Sequence, residues 1–136
     1  MVPNPTIDEV DLKAVLEPVD RERSAIALGD IDEYFAALTD DAQFMPPNSV
    51  AKGGEELRGW LAEFVRDFRV EWLAFSTAEA FGVAGLAYHA FTYTWRVTPR
   101  AGGEGKTSSG KGIHILRRQA DGSWRIAREI WNGTPS

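Results

Sequence analysis

The fold is decided by residues 110–132, which read GKGIHILRRQADGSWRIAREIWN. Two runs of strand-forming residues flank the pair Asp121-Gly122, which is typical of tight hairpin turns. Both runs are apolar on both faces, as Ile113 on one side and Leu116 on the other illustrate. A sheet with one wetted face would instead alternate apolar and polar residues. The sequence therefore predicts a β-hairpin that is covered on both sides.

This hairpin also carries titratable side chains. His114 shares a face with Leu116 in the first run, and Glu129 shares a face with Trp131 in the second. Titratable groups held on a packed sheet are candidates for chemistry because burial perturbs their pKa values. The hairpin is therefore the first place to look for a functional site.

Length and composition indicate an ordinary globular protein. A chain of 136 residues with 43% apolar and 11% aromatic side chains is large enough to bury one core. We expect an extended segment over residues 1–6, a single domain over 7–132 and a tail over 133–136. The absence of cysteine excludes disulfides, zinc–cysteine sites and thiol nucleophiles.

The charge pattern gives no indication of a nucleic-acid partner. The net charge is −5, and the excess of basic residues after residue 95 is small and spread along predicted strands. The first residues lack the pattern of a secretory signal, and no apolar run is long enough to span a bilayer. We therefore expect a cytoplasmic protein that binds neither nucleic acid nor membrane.

The first third of the chain predicts helices. Thr6 and Glu9 form a capping box, which places the start of the first helix at about Ile7. One carboxylate, Glu22, interrupts its apolar stripe, and Pro18 predicts either a kink or two separate helices. The stripe consists of Leu12, Val15, Val19 and Ile26.

Two further helices and a short strand are expected before residue 70. A short helix follows Gly29 and is capped by Asp30, and a short strand lies near Phe44. A third helix begins after Gly53 and has the cleanest apolar stripe of the sequence. Trp60 belongs to that stripe, and we assign it to the core because aromatic residues at helical spacing are usually structural.

Later residues show the two-residue period of strands. Long strands are predicted over 70–80 and 83–97, joined near Gly82, followed by the hairpin described above. Helices first and antiparallel strands afterwards predict an α+β fold with the helices on one side of a curved sheet. Since three helices cover only one face, we expect a homodimer that forms through the sheet. The glycine-rich stretch 99–110 is expected to be a mobile overhang or, as an alternative, a lid over a cavity.

The order of these landmarks resembles a known superfamily. Gly29-Asp30, the sequence FMPP at 44–47 and the sequence DGSWRI at 121–126 are similar to the ketosteroid isomerase and nuclear transport factor 2 superfamily, and within it to the SnoaL-like branch. The resemblance extends from about residue 10 to residue 132. It implies a cone-shaped α+β barrel of the cystatin-like type, a deep pocket, frequent homodimers and no obligatory cofactor.

The resemblance also locates the isomerase site in this chain. Glu22 replaces the oxyanion tyrosine of the isomerases, Pro46 their catalytic aspartate and His114 their protonated oxyanion aspartate, while Trp131 matches a tryptophan that lines their pocket. Proline cannot abstract a proton, so the resemblance does not imply steroid isomerisation by that mechanism.

We interpret Glu22 and His114 as a candidate catalytic acid/base pair. The pair would act on a small hydrophobic carbonyl compound, moving a proton next to the carbonyl or assisting loss of water. Scytalone dehydratase, of the same superfamily, resembles this chain in part through Tyr88-His89. Candidate ligand-binding residues are Trp72, His89, Tyr93, Trp95, Glu129 and Trp131.

Structural interpretations of the same residues remain open. Glu22 would pair with Arg23 or Arg128, and His114 would be a hydrogen-bonded sheet histidine. Metal-ligand spacing is not recognisable and no G-x-S-x-G motif occurs, so neither a metal nor a serine nucleophile is predicted. Three function classes remain: a cofactor-free isomerase, cyclase or dehydratase, a non-catalytic binding module, and a dimerisation domain.

Overall fold

The computed structural model describes residues 10–135, which form three helices and six strands. The helices are α1 (Leu12–Leu28), α2 (Ile31–Ala36) and α3 (Gly54–Asp67). The strands are β1 (Leu38–Met45), β2 (Lys52–Gly53), β3 (Phe68–Val83), β4 (Leu86–Pro99), β5 (Lys106–Arg118) and β6 (Trp124–Gly133). They make one sheet in the order β2-β1-β6-β5-β4-β3, in which only the β1–β6 pair is parallel among the described strands. The predicted α+β class is confirmed.

Helix α1 begins later than predicted and is uninterrupted. It starts at Leu12, where the Asp11 side chain accepts a hydrogen bond from the backbone amide of Lys13. The predicted capping box at Thr6 lies outside the described residues. Pro18 lies inside one continuous helix, so the two-helix alternative was wrong. The helix ends at Gly29, whose φ of 72° is the left-handed conformation that glycine adopts without strain.

The β3–β4 hairpin is longer than the sequence suggested. Its turn lies at Ala84 and Gly85, and Gly82, where we expected the turn, pairs with Ala87 inside the strands. A side chain on Gly82 would meet the Cβ atom of Ala87 at 2.7 Å. The glycine is therefore required by close packing, which gives the same sequence signal as a turn.

The connection between β4 and β5 is shorter than the predicted 99–110 stretch. Strand β5 begins at Lys106, so only residues 100–105 lie outside the two strands. Arg100 ties this connection to the end of α3, because its backbone amide donates to Asp67 O at 2.9 Å and its Nε donates to Val65 O at 2.9 Å.

The β5–β6 hairpin and the two faces of the sheet define the core. The predicted turn is present, with the Ser123 amide donating to Asp121 Oδ1 at 2.9 Å. The helices cover the inner face of the sheet, and the core lies between the two layers, with Phe44, Leu116 and Ile126 fully buried. Among the described residues, no helix is long and apolar enough to cross a membrane.

Candidate functional site

The site is organised around a row of cross-strand partners. His114 on β5 lies directly opposite His89 on β4 and directly opposite Glu129 on β6. Because residues opposite each other in antiparallel strands point to the same face, all three side chains project toward the helices. Glu22 reaches the row from the buried face of α1.

These side chains form a buried hydrogen-bonded cluster. His114 Nε2 lies 2.6 Å from Glu129 Oε1 and 3.4 Å from Glu22 Oε1. On its other side, His114 Nδ1 lies 3.1 Å from His89 Nδ1. The exposed fractions are 8% for Glu22, 2% for His114 and 7% for Glu129, so bulk water screens the cluster little.

Burial and charge shift the pKa values of the cluster. Burial, and then repulsion by Glu129, raises the pKa of Glu22 to about 8, although His114 opposes the shift. Burial by itself would lower the pKa of His114, but the carboxylates of Glu129 and Glu22 outweigh it and raise that pKa to about 10. At neutral pH His114 is therefore a cation, and Glu22 is a neutral acid.

A cavity of about 320 Å³ opens beside the cluster. Its size lies at the lower end of the range for small-molecule sites, and half of its lining residues are phenylalanine, tyrosine or tryptophan. The ring of Phe91 stacks on His114 with 4.6 Å between ring centroids, and Gly112 makes this possible because a Cβ there would meet Phe91 Cζ at 2.6 Å. The aromatic and proline residues of the wall are Tyr34, Phe44, Pro46, Pro47, Trp60, Phe64, Trp72, Phe75, Phe91, Tyr93, Trp95 and Trp131.

Sequence comparison identifies the family to which this architecture belongs. The family model of the SnoaL-like domain matches residues 19–129. The chain belongs to the SnoaL-like domain family. Comparison of this SnoaL-like chain with curated protein sequences finds no match.

Solved structures share the fold of this SnoaL-like protein. A ketosteroid isomerase-like protein from Erwinia carotovora atroseptica is 23% identical, with a TM-score of 0.82, and the match covers 92% of this chain and 97% of that one. A cystatin-like protein of unknown function from Nostoc punctiforme has a TM-score of 0.72 at 22% identity, covering 93% and 92%. A nuclear transport factor 2-like protein from Salmonella enterica has a TM-score of 0.74 at 13% identity, covering 91% of each chain. The predicted SnoaL-like branch is confirmed by the family model, and the predicted fold is confirmed by these structures.

The structure brings most of the predicted site residues of this SnoaL-like domain together. Glu22, His114 and Glu129 form the polar end of the cavity, and Pro46 lies in its wall. The predicted wall residues Trp72, Tyr93, Trp95 and Trp131 line the same cavity.

The predicted arginine partners of Glu22 bind elsewhere. Arg23 pairs with Asp20 at 3.1 Å, and Arg128 donates to the backbone oxygens of Asp41 and Ala127. Within residues 10–135, the ionisable partner within salt-bridge distance of Glu22 is His114. The interpretation of Glu22 as one half of an arginine pair was therefore wrong.

His89 differs from its predicted position. The sequence placed it against the ligand, but it is not among the residues that line the cavity, and its ring is fully buried. It instead hydrogen-bonds His114 through Nδ1 and Thr77 through Nε2, the latter at 2.8 Å. Burial, and then the charge of His114, lowers the pKa of His89 to about 4, so this ring is neutral.

Trp60, Tyr34 and Phe75 are among the cavity residues that sequence reasoning missed. Trp60 was assigned to the core because a helical stripe looks the same whether it faces a core or a cavity, yet it lies on the cavity wall beside Trp131. Tyr34 on α2 and Phe75 on β3 also line the cavity, and neither was among the predicted ligand-binding residues. Burial, and then the charges of Glu22 and Glu129, raises the pKa of Tyr34, so its hydroxyl remains protonated next to the acids.

The cluster also has the residue types of a cation site. Glu22, His114 and Glu129 each offer one ligand atom, and these atoms lie within 4.8 Å of one another. Carboxylate and imidazole groups bind divalent transition metals. In this structure, however, His114 Nε2 is directed at Glu129 Oε1 at hydrogen-bonding distance, which is the geometry of a shared proton.

Proposed function

We propose that this SnoaL-like protein binds a small hydrophobic carbonyl compound and catalyses cofactor-free acid/base chemistry on it. Glu22 is the proposed proton donor and acceptor, and His114 is the cation that supports it. Isomerisation, cyclisation and dehydration all begin with such a proton transfer next to a carbonyl group. The alternative is a binding module that uses the same cavity without turnover.

One observation carries the proposal. Glu22 Oε2 is buried without a hydrogen-bond partner among the described residues, while Oε1 of the same carboxyl faces His114. A buried polar atom without a partner is costly unless a ligand or water satisfies it. The free oxygen belongs to a cavity-lining carboxyl that is protonated at neutral pH, which is the state in which it donates to a carbonyl oxygen.

The proposed step conserves protons. Glu22 gives its carboxyl proton to the carbonyl oxygen and becomes a carboxylate, which the cationic His114 stabilises across 3.4 Å. That carboxylate then removes a proton from the adjacent carbon, which leaves an enol and restores the neutral acid. For a β-hydroxy carbonyl compound, the same acid protonates the departing hydroxyl group, water is lost, and the former enol oxygen returns its proton to the Glu22 carboxylate.

The cavity wall supports the choice of ligand class. Trp72, Trp95 and Trp131 provide apolar contact surface, which favours hydrophobic ring or chain structures. Tyr34 and Tyr93 also line the cavity with neutral hydroxyl groups, since burial and, with lesser effect, nearby carboxylate charge raise the pKa of each. Neutral donors in an apolar wall suit a carbonyl oxygen better than they suit a charged group.

The experiment measures proton transfer without knowing the natural substrate. Enolisable polyketide-like and terpenoid ketones are first screened for those that raise the melting temperature. Exchange of the proton next to the carbonyl is then followed by NMR in D2O. We expect the wild type to accelerate exchange and Glu22→Gln to abolish the acceleration, because glutamine keeps the shape but cannot give up a proton.

The control is Glu17→Gln, which changes an exposed carboxylate on the same helix. This variant should exchange protons like the wild type. Equal exchange rates in Glu22→Gln and wild type would refute the assignment of Glu22. Ligands that bind without any exchange in the wild type would favour the binding-module alternative.

A further inference from the structure

The proposed acid/base step leaves one buried ionisable group unused. His89 is one of only two histidines in the chain, is fully buried, and does not line the cavity. Its ring is nearly coplanar with that of His114, with an angle of 4° between the two planes. Two imidazole rings joined edge to edge through their nitrogens are an arrangement that carries protons.

The far side of His89 reaches the protein surface. Thr77 Oγ1 lies 2.8 Å from His89 Nε2, and Thr77 is exposed to solvent. The register of β3 and β4 shifts between Trp72 and Ala74, and the register that follows puts Thr77 opposite Phe91, on the face that carries His89. A continuous hydrogen-bonded chain therefore runs from solvent at Thr77, through His89 and His114, to Glu129, and Glu22 Oε1 lies 3.4 Å from His114 Nε2.

Counting hydrogens gives two complete arrangements of this chain. In the first, His114 carries both ring protons and donates its Nδ1 proton to His89 Nδ1, while His89 donates its Nε2 proton to Thr77 Oγ1. In the second, His89 donates from Nδ1 to a neutral His114, and the Thr77 hydroxyl donates to His89 Nε2. Each arrangement gives every nitrogen–nitrogen and nitrogen–oxygen contact one donor and one acceptor.

We propose that Thr77 and His89 form a proton path through which His114 gains and loses its Nδ1 proton from solvent while a ligand fills the cavity. This inference rests on the proposed function, because the charge of His114 is what supports Glu22. Neither Thr77 nor His89 lines the cavity, so both are positioning residues that act on the reaction only through His114.

The path conserves protons at each step. To neutralise His114, its Nδ1 proton passes to His89 Nδ1, the Nε2 proton of His89 passes to Thr77 Oγ1, and the original hydroxyl proton of Thr77 passes to water. The reverse sequence recharges His114. In both directions the Nε2 proton of His114 stays on the Glu129 side, so no water has to enter the apolar cavity.

Charged groups from two layers favour the first arrangement at neutral pH. The charge of Glu129 attracts the proton toward His114, and the pKa of His89 is lowered by burial, by His114 and by Arg23, with Asp20 opposing. In the resting state His114 therefore carries the charge, and His89 is the neutral acceptor between His114 and the surface. Transfer away from His114 is uphill, which makes the rate sensitive to the loss of a single partner.

The test uses the full chain and NMR of the two imidazole groups. We expect exchange of the His114 ring proton with water to slow by about tenfold or more in Thr77→Val, on the scale of one lost hydrogen bond. Thr77→Ser should restore the rate, because it returns the hydroxyl group. Thr92→Val, which changes an exposed threonine opposite Ser76, is the matched control and should leave the rate unchanged.

The outcomes separate the inference from the proposed function. Unchanged His114 exchange in Thr77→Val, or slowing that Thr77→Ser does not reverse, would overturn the proton path. If the protein still accelerates exchange of the ketone's proton next to the carbonyl in that case, only the proton path has failed and the proposed role of Glu22 stands. Nitrogen-15 chemical shifts of the imidazole groups give an independent check. A His89 Nε2 that neither donates nor accepts a hydrogen bond would also refute the path.

Discussion

Replacing Glu129 by glutamine tests the electrostatics on which the site depends. Glu129 Oε1 lies 2.6 Å from His114 Nε2, and its charge is the largest influence that raises the pKa of His114. Glutamine keeps a hydrogen-bond acceptor of the same size but removes the charge. Burial still disfavours the protonated form of His114, and the negative charge of Glu129 no longer stabilises that form. The pKa of His114 should therefore fall.

The structure sets the magnitude of this effect. Raising the pKa of His114 from 6.5 to about 10 corresponds to roughly 5 kcal/mol between its two protonation states. Glu22 remains 3.4 Å away in the variant and retains part of that attraction. We therefore expect the pKa of His114 to fall by about 1–3 and the free energy of unfolding at pH 6 to fall by about 1–4 kcal/mol.

The sign of the pH dependence follows from the direction of the shift. Because the folded-state pKa of His114 is raised, its contribution to stability is fully present below pH 6.5 and is lost as the pH rises through about 10. The stability difference between wild type and Glu129→Gln should therefore be largest near pH 6 and should shrink toward pH 10. The pKa of Glu22 should fall in the same variant, because Glu129 no longer repels its carboxylate.

The assay combines urea unfolding at several pH values with NMR titration of His114. Glu71→Gln is the control, since it also removes one negative charge from a strand but changes an exposed residue paired with Arg96 at 3.6 Å. A difference between wild type and Glu129→Gln that is the same at pH 6 and pH 10 would refute this account. So would a His114 titration midpoint that does not move.

Three further expectations concern the outer face of the sheet, the β5 backbone and the cavity wall. Ile113 and Ile130 are cross-strand partners that point away from the helices and are 40% and 47% exposed, so Ile113→Lys should turn a homodimer into a monomer in light scattering. A wild-type monomer would contradict this. Gly112→Ala should lower the free energy of unfolding by about 1–3 kcal/mol in urea, because its Cβ would meet Phe91 Cζ at 2.6 Å, and unchanged stability would contradict the packing. Trp60→Leu should weaken binding of a hydrophobic ketone about tenfold by calorimetry, since apolar contact area is lost, and unchanged affinity would remove Trp60 from the binding surface.

Sequence periodicity locates the chemical residues well where the backbone is regular. Glu22 lies between Val19 and Ile26 on the stripe of α1, and all three are buried, because the 3.6-residue period of a helix fixes which side chains share a face. His114 is placed equally well, since β5 pairs without interruption from Lys106 to Ile115. In both cases local geometry alone decides the direction of the side chain.

The same reasoning fails on β3, where the backbone is irregular. Strict alternation puts Trp72 and Phe75 on opposite faces, but a register shift between Trp72 and Ala74 leaves both against the cavity. The same shift puts Thr77 opposite Phe91, on the face that carries His89, and a second shift follows between Thr77 and Glu79. The sequence between residues 72 and 79 contains no glycine that would indicate a bulge. The two register shifts are therefore visible only in the pairing of β3 with β4.

Tertiary packing also decides the position of Tyr34. Its place on the apolar face of α2 is visible in the sequence, but its distance from Glu22 depends on how the turn at Gly29 folds α2 against α1. No local sequence pattern predicts the angle between α1 and α2. Residues that approach a site from a short helix after a tight turn are therefore harder to predict than those on the long elements.

The distribution of charge in the cluster determines which proposed step comes first. His114 and Glu129 form a buried ion pair that is neutral overall, so the pair does not force a charge onto the third member, Glu22. Desolvation then keeps Glu22 protonated up to a pH of about 8, and within residues 10–135 its Oε2 atom has no hydrogen-bond partner. A carboxyl group in this state donates a proton before it accepts one. The proposed chemistry therefore begins at the oxygen of the carbonyl group, and the carbon is deprotonated only after His114 has a new carboxylate to stabilise.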